Sequence, residues 1–158
     1  MQLTKEYDYE RRMAMMNMFM GEYNHTMDTK GRLIVPSKFR DLLGEEFVVT
    51  KGLDKCLFVF TEDKWNSVIE NIDTLPITKS KARQFSRFLI GGATTCEIDK
   101  QGRILIPQNL REYAMLDKDA VLVGVGNRIE IWNKEAWNAA NDYDEIEELA
   151  EDLDELRF

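Results

Sequence analysis

Asp28-Thr29-Lys30-Gly31-Arg32-Leu33-Ile34-Val35-Pro36 is written a second time as Asp99-Lys100-Gln101-Gly102-Arg103-Ile104-Leu105-Ile106-Pro107, seventy-one residues on. The match continues through Phe39 with Leu110 and Arg40 with Arg111. After one extra residue in the second copy the offset becomes seventy-two. Gly52 then meets Gly124, Phe60 meets Trp132 and Trp65 meets Trp137. Chance rarely places Asp, Gly, Arg, Pro and Trp twice in register, and an internal repeat decides the architecture before any finer reading. The chain therefore divides into an extension without fixed structure over residues 1–17, a first unit over 18–65, a linker over 66–90, a second unit over 91–137 and an acidic segment over 138–158.

Each unit reads as strand, tight turn, strand, short helix, strand, turn, strand, which makes the fold α+β and mainly β. In Asp-x-x-Gly-Arg the aspartate can accept hydrogen bonds from backbone N–H groups two residues on, and the glycine tolerates the positive φ that ends a hairpin turn. The apolar strands that follow stop at Pro36 and Pro107, which preset φ for helices over residues 37–43 and 108–114. Residues 47–50 with 57–60, and 121–123 with 129–132, read as hairpins. Alternation over residues 23–27 and 95–98 turns His25, Met27, Cys96 and Ile98 inward.

The formal net charge is −8, yet nine acids and one base, Arg157, fall in residues 142–158. The remaining 141 residues hold twenty acids and twenty bases. No acid occurs from Thr74 to Cys96, where Lys79, Lys81, Arg83 and Arg87 lie. Local basic density matters more for phosphate than the whole-chain sum. Within this stretch residues 79–90 read as an amphipathic helix stopped by Gly91-Gly92. Lys79, Arg83 and Arg87 share one face, as a DNA contact or a solvated surface, and Ala82, Phe85 and Leu89 lie toward the other. Residues 134–156 are helical in composition, with Ile146, Leu149, Leu153 and Leu156 as a short seam. That seam can pack on the body, pair with a neighbouring subunit or fray.

Several functions are excluded or disfavoured. His25 is the only histidine, and Cys56 and Cys96 lie forty residues apart. A zinc site has too few ligands, and two buried free thiols are expected instead. No apolar run approaches the ~20 residues of a membrane span. The Met-rich stretch over residues 13–21 lacks a cleavage site for a secretory leader. Gly124-Val125-Gly126 sits in a predicted hairpin and lacks the third glycine of a dinucleotide fingerprint. No nucleophile motif accompanies His25. No enzyme activity, metal, cofactor or small-molecule substrate is expected.

The doubled Asp-x-x-Gly-Arg-x-x-x-Pro pattern, with Met18-Phe19-Met20-Gly21-Glu22-Tyr23-Asn24-His25 and the Gly91-Gly92-Ala93-Thr94-Thr95 stretch, closely resembles the MraZ family of bacterial transcriptional regulators. The resemblance covers residues 18 to about 140. It implies that each unit is an AbrB-type swapped-hairpin module and that the two interlock as a pseudo-two-fold β-barrel. It implies a cytoplasmic, nucleoid-associated protein that binds double-stranded DNA, at tandem short repeats upstream of the division and cell-wall gene cluster, as a ring-like homo-oligomer; repression is the expected sign. Residues 1–17 depart from the family, whose usual start matches Met18. They are an extra leader or the mark of a misplaced translation start.

The family's Asp-x-x-x-Arg motif matches Asp28 and Arg32, and Asp99 and Arg103. The residues alone allow two roles. Arginine offers a planar donor fork suited to guanine O6/N7 and phosphate, with Lys30 and Lys100 beside it for phosphate. Alternatively each arginine clasps its own turn-organising aspartate, Asp28 or Asp99, and both roles can coexist. A competing function is an antitoxin of the AbrB type, binding DNA and, through its acidic tail, a basic toxin.

Overall fold

In the computed structural model, which describes residues 2–153, 155 and 156, the chain opens on helix α1 (Gln2–Met16). From sequence alone no fixed structure is expected there. Glu, Lys, Arg and Met are good helix formers, and residues 4–13 are all exposed, so propensity rather than packing accounts for this helix. Asp154, Arg157 and Phe158 of the acidic tail lie outside the described residues.

The first unit follows as β1 (Phe19–Thr26), β2 (Arg32–Ile34), α2 (Ser37–Leu43), β3 (Glu46–Lys51), β4 (Leu57–Thr61) and α3 (Glu62–Asp73). After α4 (Ser80–Leu89) the second unit repeats it as β5 (Thr94–Glu97), β6 (Arg103–Leu105), α5 (Gln108–Tyr113), β7 (Asp119–Gly126), β8 (Ile129–Asn133) and α6 (Lys134–Ala140). A 3-10 turn (Tyr143–Glu145) and α7 (Ile146–Asp152) close the chain. Pro36 and Pro107 sit immediately before α2 and α5 at φ −53° and −57°, as their fixed rings dictate.

Helix α3 crosses the boundary expected at residue 65, so the stretch read as a linker with one helix contains most of another. Its start has a chemical reason. Thr61 Oγ1 accepts from Lys64 N at 3.2 Å, and at the equivalent place in the second unit Asn133 Oδ1 accepts from Ala136 N at 3.0 Å. Both are favoured helix caps. The repeat thus extends through a closing helix, in which Trp65 packs on Phe60 and Trp137 on Trp132, with ring centroids 6.0 and 5.5 Å apart.

The two units do not fold as separate bodies. One antiparallel sheet has the order β1-β7-β8-β4-β3-β5, and β2 pairs with β6 in a second. Exchanging the units (β1 for β5, β2 for β6, β3 for β7, β4 for β8) returns the same order read backwards. Among the six strand pairings, only β3–β4 and β7–β8 stay within a unit. The other four join the halves: β1–β7, β2–β6, β3–β5 and β4–β8.

The main core is shared by both units, and a smaller cluster of Cys56, Val121, Val123 and Trp132 lies apart from it. Leu33, Val35, Phe39, Phe47 and Leu57 from the first unit share the main core with Ile104, Ile106, Leu110, Leu122 and Ile131 from the second. Phe39 is 1% exposed and meets Phe19 and Tyr23 edge-on, with centroids 5.7 and 5.2 Å away. Burying such a ring contributes about 1.5–3 kcal/mol. Cys56 and Cys96 are buried free thiols. Burial pushes their pKa values up to about 12 and about 11, which keeps them protonated and unreactive at neutral pH. Met27 is buried, while His25 is half-buried at the strand margin. Among the described residues no helix is long and apolar enough to cross a membrane.

Candidate nucleic-acid interface

The two Asp-x-x-Gly-Arg turns are brought side by side by the β2–β6 ribbon. Its register sets Arg32 opposite Leu105 and Ile34 opposite Arg103. Strand alternation buries Leu33 and Ile104 beneath and turns the two arginines outward, with Ile34 and Leu105 exposed beside them. The ribbon therefore presents two guanidinium groups on one outer face.

Each arginine is clasped by its own turn. Asp28 Oδ1 accepts from Lys30 N at 3.0 Å and Arg32 N at 2.9 Å, while Oδ2 takes Arg32 Nε at 2.6 Å. Asp99 repeats the pattern with Gln101 N, Arg103 N and Arg103 Nε, each at 2.9 Å. Arg103 Nη1 also lies 3.9 Å from Asp28 Oδ2, so the two clasps adjoin. The Arg32 N–H is the largest influence on Asp28 and holds its carboxyl below its ordinary value against partial desolvation; Arg103 N–H does the same for Asp99. A carboxyl lowered on folding adds stability above its unfolded value and loses it as the pH falls through the lowered one. The clasps are thus intact throughout the neutral range. For Arg32 the clasp occupies only the Nε edge: among the described residues no hydrogen-bond partner faces Arg32 Nη1 or Nη2. Lys30 and Lys100 are exposed in the same turns.

The glycines of these turns explain a pair of residues that the sequence reading aligned without assigning a role. Val35 N donates to Gly102 O and Ile106 N to Gly31 O, each at 2.9 Å, so each turn is stitched to the opposite unit. Arg111 lies over Gly31 and Arg40 over Gly102. A methyl on Gly31 would stand 2.7 Å from Cζ and Nε of Arg111, whose Nε donates to Ile106 O at 2.9 Å. Gly31 and Gly102 also hold φ of 86° and 78°. Gly31→Ala is expected to cost about 1–2 kcal/mol for backbone conformation alone, with displacement of Arg111 added. Thermal unfolding followed by circular dichroism should show a melting temperature lower by at least roughly 2–8 °C. An unchanged curve would mean that the turn relaxes and that Arg111 does not need the space.

Lys79, Arg83 and Arg87 belong to another element. Lys79 is the residue before α4 and Arg83 Nη1 donates to Ile77 O at 3.0 Å. Helix α4 packs on β3, where Thr50 Oγ1 donates to Leu89 O at 2.6 Å, and not chiefly on the ribbon. Its inner face is Ala82, Ser86 and Leu89; Phe85, expected on that face, is exposed.

The doubled sequence has a counterpart among known proteins. A sequence model of the family described as "MraZ protein, putative antitoxin-like" matches residues 18–88 and again residues 89–156. The chain belongs to the MraZ family. MraZ relatives align with almost their whole length. One from Thermoanaerobacter sp. (strain X514) is 55% identical over 143 residues, covering 89% of this chain and 100% of the relative. One from Desulforamulus reducens is 56% identical over 141 residues, covering 88% and 99%. One from Lachnoclostridium phytofermentans is 59% identical over 139 residues, covering 88% and 97%. All three are named Transcriptional regulator MraZ, and MraZ is a regulator family rather than a family of enzymes.

Proposed function

We propose that this chain is a DNA-binding transcriptional regulator, acting as a repressor at tandem short repeats upstream of the division and cell-wall gene cluster. The observation that carries the reading is the pair of outward arginines on one two-stranded ribbon. Arg32 and Arg103, each oriented by its aspartate and with its Nη groups directed to solvent or its neighbour, suit bidentate contact with guanine or phosphate. Lys30 and Lys100 supply phosphate contacts around them. The names of the MraZ relatives support the same class. The interleaved sheets close as a swapped-hairpin barrel, and such barrels join in a ring-like homo-oligomer. One short ribbon makes few contacts, so affinity comes from several subunits on repeated sites. The protein acts in the cytoplasm, on the nucleoid.

The test is protection mapping on the gene's own upstream region, with affinity measured across a salt series. Repeated, evenly spaced protection is expected. Log affinity should fall steeply with log salt, by about 0.9 per phosphate contacted, despite the acidic pI of 4.8. A flat salt response or no protected repeat would remove the reading. The antitoxin alternative is favoured by the family description and by the exposed acids of residues 142–153. It requires a small basic partner bound by that tail.

A further inference from the structure

Two apolar surfaces of opposite charge are left uncovered in the single chain. The first is a groove of about 380 Å³ between the end of α3 and helix α4. Leu75 and Ile77 form one wall, Ala82 and Ile90 the other, and Arg83 and Arg87 line it one helical turn apart. Ile77 is 80% exposed. Asp73 is the acid among the lining residues, and no other acid follows until Glu97. The second surface is α7 with the residue that ends it: Ile146 and Leu149 on the helix and Leu153 just after it are each 52% exposed. At 3.6 residues per turn Ile146 and Leu149 share one stripe, which Leu153 extends past the helix end, and Glu148 and Asp152 fall one turn apart along its flank. No base occurs between residues 142 and 156.

We propose that α7 of one subunit seats in the α3–α4 groove of a second copy. The inference rests on the homo-oligomer reading and names its contact. The acidic i, i+4 pair Glu148 and Asp152 matches the basic i, i+4 pair Arg83 and Arg87 in spacing and sign. Helix α4 has ten residues and α7 seven, so the groove wall is about 15 Å long and the incoming helix about 10 Å. Within one chain α7 packs chiefly on the 3-10 turn before it, and among the described residues no tail residue lines the groove. Groove and tail are different patches of the same molecule. Their contact is therefore heterologous, and it repeats head to tail until rotation closes a ring. Arg83 and Arg87 serve assembly in this arrangement, and the phosphate contacts belong to the ribbon.

Sedimentation velocity of the full chain tests this with two charge-reversed variants. Arg83→Glu with Arg87→Glu reverses the groove; Glu148→Lys with Asp152→Lys reverses the tail. The parent should sediment well above a dimer, and each variant alone as a small species. An equimolar mixture should recover the large species, because each variant's tail then fits the other's groove. That recovery requires docking between chains and two folded partners. A variant that assembles like the parent, or a mixture that fails to recover, overturns the groove contact while leaving the oligomer reading in place. A monomeric parent overturns both. Affinity of the same variants for a single-repeat duplex reports on DNA binding separately, and should remain near the parent's.

Discussion

A chain carrying both Arg32→Ala and Arg103→Ala is expected to lose its footprint on repeat DNA while melting where the parent melts. Each arginine contributes about 1–3 kcal/mol if it makes one specific base contact. Both ride on the same ribbon, so the double variant strips each subunit of its readout. The loss multiplies along an operator occupied by several subunits. Stability should change little, because the Arg side chains are 33% and 25% exposed and their partners similarly so; exposed pairs are screened and add little. Asp28→Asn with Asp99→Asn separates orientation from contact. Those changes remove the Nε partner but leave the guanidinium, so binding should weaken less than in the arginine variant. If the clasp were the whole role, the aspartate and arginine variants would lower the melting temperature alike. Normal repeat-DNA affinity in the double arginine variant would take these residues out of the interface.

Most of the strand and helix order could be read from residues because the governing signals are local. A turn glycine, a proline before each short helix and alternating apolar residues act within a few positions. Helix α3 was only half legible because its boundary depends on Thr61, whose equivalence to Asn133 is functional rather than literal: both cap, but they are different residues. The candidate site was legible as a list, Asp28, Arg32, Asp99 and Arg103, and not as an arrangement. That β2 lies against β6 is a long-range pairing, which no local pattern encodes. Arg40 and Arg111 show the same limit. Their alignment across the repeat was visible, but their role depends on each reaching the turn glycine of the other unit. Helical spacing puts Phe85 on the face opposite the basic residues, yet the core below α4 receives Leu89 and leaves Phe85 exposed.

Separating the chain between residues 88 and 89 is expected to abolish folding of each piece alone and to restore it on mixing. The reason lies in where the hydrogen bonds go. Either piece alone keeps one hairpin, β3–β4 or β7–β8, and an isolated two-stranded hairpin is at best marginally stable. The strands β1, β2, β5 and β6 would leave their backbone groups unpaired, since their partners lie in the other piece. Because the sheet order is its own reverse on exchange of units, a second copy of the same piece could in principle replace the missing one. Side-chain volume opposes that. Phe19, Tyr23 and Phe39 of the first unit align with Ile90, Thr94 and Leu110 of the second, and Phe19, Phe39 and Leu110 are buried in the main core that both units share. Two first units would crowd it with two sets of aromatic rings, and overpacking costs typically about 1–3 kcal/mol. Two second units would leave cavities where rings should be, which is also destabilising. The heterologous pair alone fills the space. Circular dichroism and size exclusion should show each piece unfolded or loosely aggregated, and an equimolar mixture recovering one cooperative melt at the size of the intact chain. A single piece that melts cooperatively as a monomer would refute the dependence of each unit on the other, and a well-folded homodimer of either piece would show that the divergence in volume does not govern which halves pair.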